Sequence, residues 1–185
     1  MQQEPRIVAP VIWLTGRSGA GKSTIASGVC IRLIASGVPA VILDGDQVRS
    51  GLSEDLGFDE MGRSENIRRI AHVARILSAQ SVVVIVAVLS PLEGHRALAR
   101  SVIGRAYFEV FVDAPLPVCE MRDVKGLYAR ARRGEIGQFT GISSPYEPPV
   151  NPDLVISTAG CAPVVSIENL LQSLPPVTGG NIIAD

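Results

Sequence analysis

The segment that most constrains the fold is a glycine-rich loop at residues 16–23. It matches the pattern GxxxxGK[ST] in full and follows an apolar run at residues 11–15 that is typical of a buried strand. Apolar residues then recur at helical spacing at Ile25, Val29 and Leu33. Glycines in this setting let backbone N–H groups surround phosphate oxygens at the start of a helix. The segment therefore predicts a phosphate-binding loop between a strand and a helix.

This loop predicts the nucleotide that the chain binds and the ion that accompanies it. We expect Lys22 to contact the β- and γ-phosphates of ATP and the hydroxyl of Ser23 to ligate Mg²⁺. The residues assigned to ATP are Gly16, Arg17, Ser18, Gly19, Ala20, Gly21, Lys22, Ser23 and Thr24. A chain of 185 residues is short for a motor, and it contains no NKxD-type guanine motif. A small-molecule kinase is the class that remains.

Apolar runs alternate with helical patterns along the rest of the chain. Further strands are predicted at residues 40–43, 82–89, 108–112 and 154–156. Helices are predicted after Ser64 as an N-cap and at residues 92–102, 115–122, 125–133 and 164–174. This alternation predicts the α/β class, with a P-loop kinase fold built on a five-stranded parallel sheet that has helices on both faces. We expect one domain over residues 1–185, with a tail at 1–10 and a lid or binding loop at 134–152.

Composition argues against several classes of protein. The net charge is −1, which gives no global reason to bind nucleic acid or an anionic membrane. The longest apolar run, residues 82–89, is too short for a membrane span, which takes about 20 residues. Three cysteines without metal-type spacing, and an N-terminus without an apolar signal region, predict reduced thiols and a cytoplasmic protein.

Two carboxylates flank Gly45 at the end of the second predicted strand. A kinase of this class needs a carboxylate opposite the γ-phosphate, either to hold Mg²⁺ or its waters or to deprotonate the acceptor hydroxyl. We assign Asp46 as the base and Asp44 as the Mg²⁺-side or structural carboxylate. An Asp-Gly turn without a catalytic role is the alternative that composition alone favours.

The segment that follows is rich in arginine, which binds phosphate and sulfate through two parallel hydrogen bonds. Arg49 and Arg63, together with Asn66, are candidate ligands for an anionic acceptor. Phe58 lies in a polar loop, although aromatic residues make up only 4% of the chain. The sequence leaves two interpretations of Phe58 open: a stacking face for a base and a plug of the core.

Strings of residues spread over the chain resemble the adenylylsulfate kinase family of P-loop kinases. The strings lie at residues 44–49, 51–52, 55–58, 63, 65–70, 90–91, 111–116, 118–120, 122–128, 131–132, 134–136, 139–142 and 145–147. The resemblance implies transfer of the γ-phosphoryl group of ATP to the 3′-hydroxyl of adenosine 5′-phosphosulfate. The implied products are ADP and 3′-phosphoadenosine 5′-phosphosulfate, which serves sulfate assimilation.

The resemblance also implies which residues hold each substrate. In the family, the adenine of the acceptor stacks between aromatic residues that match Phe58 and Phe139. The acceptor pocket is completed by positions that match Asp46, Arg49, Arg63, Asn66, Ile67, Leu89, Ser90, Lys125 and Gln138. The adenine of ATP lies near positions that match Arg130 and Cys161. Segment 134–152 matches a mobile lid, and the family implies a homodimer with an ATP sulfurylase as a candidate partner.

Two positions stand apart within this resemblance. The family carries a proposal that the serine matching Ser90 becomes phosphorylated as an intermediate. We favour a binding or positioning role for Ser90, because a P-loop kinase can transfer directly in line to the bound acceptor. Arg17 stands where the family usually has an apolar residue.

The sequence leaves two other functions open. A related small kinase could use the same loop and the same arginines for another nucleotide or a hydroxylated metabolite. The second is a catalytically inactive nucleotide-binding partner of a sulfurylase. It is disfavoured, because an inactive relative would be expected to have lost at least one of the four candidate catalytic residues. Those residues are Lys22, Ser23, Asp44 and Asp46, and all are present.

Overall fold

Five strands form one sheet in the computed structural model, which describes residues 8–175. The strands are β1 (Val11–Thr15), β2 (Ala40–Asp44), β3 (Val83–Ala87), β4 (Tyr107–Asp113) and β5 (Leu154–Ser157). They lie in the order β2-β3-β1-β4-β5, and every neighbouring pair is parallel. The predicted α/β class and five-stranded parallel sheet are therefore confirmed.

The connections between these strands contain the helices. They are α1 (Lys22–Ala35), α2 (Gly45–Arg49), α3 (Glu60–Ser78), α4 (Glu93–Ile103), α5 (Leu116–Arg122), α6 (Leu127–Arg132) and α7 (Pro163–Ser173). A 3₁₀ turn, Gly104–Ala106, leads into β4. Within residues 8–175, no helix combines the length and the apolar character needed to cross a membrane.

The central strands β1 and β3 are buried throughout, and their alternate residues point to opposite faces of the sheet. On one face, Ile12 and Leu14 of β1 belong to the core that includes residues of α1 and α7. On the other face, Trp13 belongs to a second core that includes residues of α3 and α4. All three of these strand residues are fully buried. The prediction of helices on both faces is confirmed.

The carboxyl ends of the central strands lie together at one edge of the sheet. β1 ends at Thr15 and continues into the glycine-rich loop. Asp44, at the end of β2, is in register with Ala87 at the end of β3, which is also in register with Leu14 of β1. Ligands of open parallel sheets bind beyond this edge. The fold thus places the loop and the second-strand carboxylates next to each other.

The start of helix α3 differs from the prediction. The predicted N-cap, Ser64, lies inside the helix, which begins at Glu60. Asp59 is the cap, and its Oδ1 accepts a hydrogen bond of 2.7 Å from the N–H of Gly62. Aspartate and serine cap helices about equally well, so the earlier of the two acceptors starts the helix.

Two further boundaries also differ from the prediction. Strand β3 covers Val83–Ala87 rather than residues 82–89, so Leu89 lies in the loop that follows it. The Asp-Gly turn that composition alone favoured is instead the start of the short helix α2, Gly45–Arg49. Asp44 caps α2 by accepting a hydrogen bond from the backbone N–H of Asp46.

The structure describes the predicted lid in full but only part of the predicted tail. Residues 1–7 and 176–185 lie outside the described part of the chain, so only residues 8–10 of the tail are described. Of these, Ala9 is buried, and its N–H donates to the carbonyl of Ser78 over 3.1 Å. The lid segment 134–152 is described throughout and forms turns and loops, with one isolated bridge between Thr140 and Ser144. Its mobility stays a prediction.

The helix start can be tested by two alanine substitutions. We expect Asp59→Ala to lower the free energy of unfolding by about 1 kcal/mol, because it removes the acceptor that caps α3. Ser64→Ala is the matched control and should change the free energy by less than about 0.5 kcal/mol. Urea unfolding measures both values. If Ser64→Ala is the more destabilising of the two, the helix start described here is wrong.

Candidate active site

One large cleft opens beyond the carboxyl ends of the strands, with a volume of about 1200 Å³. The phosphate loop, the carboxylates after β2 and the first part of the predicted lid all line it. Of the predicted site residues, the cleft brings together Ser18, Gly19, Gly21, Lys22, Ser23, Thr24, Asp44, Asp46, Arg49, Phe58, Arg63, Asn66, Leu89, Lys125, Arg130, Gln138, Phe139 and Cys161. Five others in the described chain are not among its lining residues: Gly16, Arg17, Ala20, Ile67 and Ser90.

The phosphate loop turns sharply because its glycines adopt backbone conformations that other residues avoid. Gly19 and Gly21 have φ angles of 74° and 104°, in the left-handed region. Gly16 lies so close to β4 that a Cβ atom there would be 2.4 Å from the carbonyl oxygen of Val112. Gly21 leads directly into α1, whose N-terminus carries the positive end of the helix dipole. The loop therefore offers backbone donors to an anion.

The side chain of Lys22 folds back over this loop. Its Nζ donates hydrogen bonds of 2.8 Å to the carbonyl oxygens of Gly16 and Arg17. Burial lowers the pKa of Lys22 to about 8, while the charges of Asp44 and Asp46 act in the opposite direction. A phosphate group next to Nζ would favour the charged ammonium. Lys22 is thus placed to gain an anionic partner.

Ser23 and Asp44 form a donor set that suits a hard cation. The hydroxyl of Ser23 donates to Oδ2 of Asp44 over 2.8 Å, while Oδ1 of Asp44 accepts from the backbone N–H of Asp46. Mg²⁺ prefers oxygen ligands and binds through one or two protein groups, substrate phosphates and water. Residues 8–175 contain no group of three or more histidine, cysteine or acidic side chains that could form a complete protein cage for a metal. The hydroxyl and the carboxylate therefore fit Mg²⁺ that also binds a nucleotide.

Asp46 forms an ion pair with Lys125, which comes from the turn between α5 and α6. Both side chains are more than half exposed, at 74% for Asp46 and 54% for Lys125. The pair therefore lies at the surface of the cleft and is accessible to a ligand. A substrate hydroxyl or anion could exchange with either partner without uncovering a buried charge.

Arg63 connects the two segments that carry the predicted stacking rings. Its Nε donates to the carbonyl of Phe58 over 2.7 Å, and its Nη2 donates to the carbonyl of Gln138 over 2.8 Å. A longer contact of 3.4 Å joins Nη1 to the hydroxyl of Thr140. Burial lowers the pKa of Arg63, but a guanidinium stays charged in proteins. One arginine thus holds the loop before α3 against the start of the lid segment.

The two phenylalanines have different surroundings. Phe58 is 64% exposed, and the guanidinium of Arg49 lies over its ring at 4.6 Å from the centroid. Phe139 is 8% exposed and contacts Tyr128 edge to face, with a centroid distance of 4.9 Å. Phe58 is therefore no plug of the core, whereas Phe139 also packs in the core that contains α1.

Asn66 offers a further polar group to the cleft. Its side chain is 7% exposed, and its Oδ1 has no hydrogen-bond partner among the described residues. A buried acceptor without a donor costs stability unless a ligand or water supplies one. Asn66 therefore suits a ligand that donates a hydrogen bond.

Two residues that support the phosphate loop escaped sequence reasoning. Arg122 donates from Nη1 to the carbonyl of Gly19 over 3.1 Å and from Nη2 to the carbonyl of Thr158 over 2.6 Å. The hydroxyl of Thr158 donates to the carbonyl of Ala20 over 2.8 Å. These partners are far apart in sequence, so no local pattern marks them. The only sequence signal is that Arg122 falls within a string shared with the resembled family.

Ser90 is fully buried beneath the cleft. Its hydroxyl donates to Oγ1 of Thr15 over 2.9 Å and accepts from Nε1 of Trp13 over 3.1 Å. Its carbonyl accepts from Nη1 of Arg96 over 3.0 Å, and Arg96 is itself 1% exposed. The structure therefore gives Ser90 a role in holding the end of β1 and the backbone next to Leu89.

This phosphate loop, on the central strand of a parallel sheet and beside two carboxylates, defines a P-loop kinase. Residues 8–157 match the family model described as adenylylsulphate kinase. The adenylyl-sulfate kinase of Paraburkholderia xenovorans is 54% identical over 172 residues, which cover 93% of this chain and 95% of the relative. The chain belongs to the adenylylsulphate kinase family, and its activity is that of an adenylyl-sulfate kinase.

A solved structure and a fused relative extend this result. A structure of the Mycobacterium tuberculosis APS kinase CysC in complex with AMPPNP and APS has a TM-score of 0.87 and 47% identity. The comparison covers 92% of this chain and 98% of that one. The bifunctional enzyme CysN/CysC of the same organism is 54% identical over 146 residues, which make up only 24% of its length. The family thus occurs both as a separate chain and as part of a longer enzyme.

The buried position of Ser90 leads to a prediction. We expect Ser90→Ala to lower the free energy of unfolding by about 1–3 kcal/mol, because it leaves the Trp13 N–H buried without an acceptor. The folded fraction should keep measurable turnover, since the hydroxyl is out of reach of the cleft. Urea unfolding and initial rates on the same preparation measure both effects. Complete loss of turnover with unchanged stability would instead support a phosphorylated Ser90.

Proposed function

We propose that Lys22, Ser23, Asp44 and Asp46 form the transfer site of this kinase and that Phe58, Phe139 and the nearby arginines hold the acceptor. The γ-phosphoryl group of ATP passes to the 3′-hydroxyl of adenosine 5′-phosphosulfate, giving ADP and 3′-phosphoadenosine 5′-phosphosulfate. The observation that carries the proposal is a single cleft lined both by the phosphate loop and by the two phenylalanines, whose segments Arg63 joins. One cavity can therefore hold a donor and an acceptor nucleotide together.

The donor half of the site consists of the phosphate loop and the residues beside it. Lys22 exchanges its two backbone carbonyl partners for phosphate oxygens of ATP and follows the group that is transferred. The hydroxyl of Ser23 and the carboxylate of Asp44 hold Mg²⁺ or its waters. When bound, Mg²⁺ offsets charge on the phosphate oxygens. Arg130 and Cys161, which also line the cleft, lie on the adenine side of ATP.

The acceptor hydroxyl is activated by Asp46. In the proposed step, Asp46 takes the proton of the 3′-hydroxyl, the 3′-oxygen bonds to the γ-phosphorus, and the bond from that phosphorus to the β-phosphate oxygen of the departing ADP breaks. Lys125 leaves its ion pair with Asp46 as the acceptor enters and turns to the anionic end of the nucleotide. The support for this assignment is the accessible position of the pair at the cleft surface.

The acceptor itself is held by stacking and by charge. Phe58 and Phe139 lie on the two faces of its adenine, and Asn66 accepts a hydrogen bond from it. Arg49 and Arg63 contact its phosphosulfate group or its ribose. Leu89 and Gln138 line the same cleft. No direct contact is proposed for Ile67, which is buried in the core that contains Trp13, or for Ser90, which bonds to Thr15.

The lid and the molecular context complete the proposal. Segment 134–152 closes over the two nucleotides and excludes water that would intercept the phosphoryl group.

We also propose that the chain acts in the cytoplasm as a homodimer, with an ATP sulfurylase as a candidate partner. The fused bifunctional relative supports that partner. Size-exclusion chromatography with light scattering, alone and with the sulfurylase, tests both associations.

The role of Asp46 can be separated from substrate binding. We expect Asp46→Asn to lower the single-turnover rate of transfer by roughly 100-fold or more, because the amide cannot take the proton. Acceptor affinity should fall much less, since the shape of the side chain is kept. Lys125→Gln is the companion variant and should weaken acceptor binding more than it slows transfer. Asp46 is a binding residue if Asp46→Asn loses acceptor affinity but keeps its single-turnover rate.

The identity of the acceptor is tested through the two rings. We expect Phe58→Ala and Phe139→Ala each to raise the acceptor KM by roughly five- to 150-fold, the equivalent of about 1–3 kcal/mol of stacking. The KM for ATP should change much less. Phe139→Leu is the matched control for packing, since it keeps an apolar side chain beside Tyr128 but removes the aromatic face. The measurement is the initial rate of ADP release against each substrate.

The same assay separates the proposed function from its alternatives. Adenosine 5′-phosphosulfate should support ADP release, and other nucleotides, sugars and hydroxylated metabolites should not. A preference for a different acceptor would point to a related small kinase. A chain that binds ATP but transfers to no acceptor would be an inactive nucleotide-binding partner. If the ring substitutions raise only the KM for ATP, Phe58 and Phe139 belong to the donor site and not to the acceptor site.

A further inference from the structure

A second cavity, of about 440 Å³, lies between the phosphate loop and the lid segment. Arg17 of the phosphate loop lines it together with Leu116 and residues 141–146 of the lid segment. Arg17 is not among the residues that line the main cleft, so the proposed chemistry leaves its side chain without a role. The positive charge of the Arg17 guanidinium thus lies between the phosphate loop and the lid segment.

The backbone of Arg17 is part of the transfer site. Its carbonyl oxygen accepts one of the two hydrogen bonds from Nζ of Lys22, over 2.8 Å. The same oxygen accepts from the N–H of Ala20 over 3.2 Å, which closes the turn of the loop. When Nζ moves to a phosphate oxygen, this carbonyl loses its charged donor. The binding of a nucleotide therefore changes the forces on Arg17 directly.

The side chain of Arg17 reaches the lid segment. Its guanidinium lies over the ring of Tyr146, at 4.8 Å from the centroid. Its Cδ lies 3.8 Å from the point where a Cβ atom would stand on Gly141. Nη1 makes only a long contact of 3.5 Å with the carbonyl of Ala114, and Nε is buried without a partner in the described chain. The aromatic face of Tyr146 is thus the main compensation for its charge.

The lid segment around this contact is one compact unit. The N–H groups of residues 142–144 all converge on the carbonyl of Phe139, and the N–H of Gly141 donates to the carbonyl of Ser144. Tyr146 stacks on Phe111 of β4 at 6.3 Å, and the N–H of Glu147 donates to the carbonyl of Pro91 over 2.8 Å. The turn therefore has a fixed end at Tyr146 and a cleft end at Phe139, with Arg17 between them.

We propose that Arg17 is a positioning residue that couples nucleotide binding at the phosphate loop to the placement of lid residues 139–146. This inference rests on the proposed donor site at Lys22. When Lys22 binds the nucleotide, the altered backbone of Arg17 presses its guanidinium more firmly against the ring of Tyr146, which stays fixed on Phe111. The turn between Phe139 and Tyr146 then becomes more ordered. Phe139 at the cleft end is then held ready for the acceptor. The coupling is reciprocal, so the acceptor also strengthens nucleotide binding.

The first test needs only the nucleotide. Amide hydrogen exchange of residues 139–146 is measured with and without AMPPNP and Mg²⁺ in the wild type and in Arg17→Leu, Tyr146→Leu and Tyr146→Phe. We expect AMPPNP to slow exchange of this segment in the wild type and in Tyr146→Phe, which keeps the ring. The slowing should be lost in Arg17→Leu and Tyr146→Leu. Thermal unfolding confirms that each variant is folded.

The second test measures the coupling itself. Adenosine 5′-phosphosulfate is titrated into each variant, alone and saturated with AMPPNP, and the ratio of the two Kd values is the coupling factor. We expect a wild-type factor of roughly five to 150 and a factor of about 1 in Arg17→Leu and Tyr146→Leu. Arg17→Lys should retain part of it. The double variant should lose no more than either single one, because both remove the same contact.

Several outcomes would overturn the inference. They are a wild-type segment whose exchange does not respond to AMPPNP, an unchanged response in Arg17→Leu, or losses that add up in the double variant. If Arg17→Leu does not fold, the comparison of Tyr146→Leu with Tyr146→Phe decides the question alone. A wild type that binds AMPPNP with the expected protection but does not bind adenosine 5′-phosphosulfate would refute the proposed acceptor and leave the coupling in place.

Discussion

The close approach of the phosphate loop to the backbone of β4 and α5 is the constraint on which the rest of the site depends. A Cβ atom at Gly16 would lie 2.4 Å from the carbonyl oxygen of Val112, and one at Gly19 would lie 2.9 Å from that of Cys119. Backbone atoms cannot yield as a flexible side chain can, so both positions require glycine. The loop therefore packs tightly against β4 and α5, and its position determines where the other groups of the donor site lie.

The acceptor side of the cleft is assembled in a different way. Arg63 bonds to the carbonyls of Phe58 and Gln138, and Arg49 bonds to those of Leu56 and Gly57. These contacts run from guanidinium groups to loop backbone and are not part of a sheet ladder. Arginines that were expected only as anion ligands therefore also shape the loops around the ligand, and a substitution of either would act on both properties.

The fold could be predicted from sequence to the extent that its elements carry a periodic apolar pattern. Each strand of the sheet is mostly apolar, with Glu109 as the interior exception in β4, and the phosphate loop has a motif that specifies its own geometry. The short helix α2 could not be foreseen, because five residues that begin with Gly45 carry no periodicity and Asp-Gly favours a turn. The cap at Asp59 was missed because Ser64, which lies inside the helix, is an equally good type of capping residue.

The site was predictable where residues act through their own chemistry and unpredictable where they act through a distant partner. Lys22 and Asp44 were assigned from the loop and from the strand end, and both line the cleft. Arg122 and Thr158, by contrast, support carbonyls of the loop more than 100 residues away in the chain. The buried environment of Ser90 likewise depends on Trp13 and Thr15, so only the packed structure separates it from Leu89 beside it.

The central place of β1 in the sheet has a consequence for how the molecule comes apart. This strand is paired on both sides, to β3 and to β4, so the base of the phosphate loop opens only when two ladders break. The loop that carries Phe58, whose ring is 64% exposed, is held mainly by Arg49 and Arg63 and opens at a smaller cost in free energy. Under mild denaturing conditions, a partly opened molecule would still bind a triphosphate at the phosphate loop after the acceptor side of the cleft has opened. Sub-global unfolding would therefore uncouple nucleotide retention from phosphoryl transfer well before the domain melts.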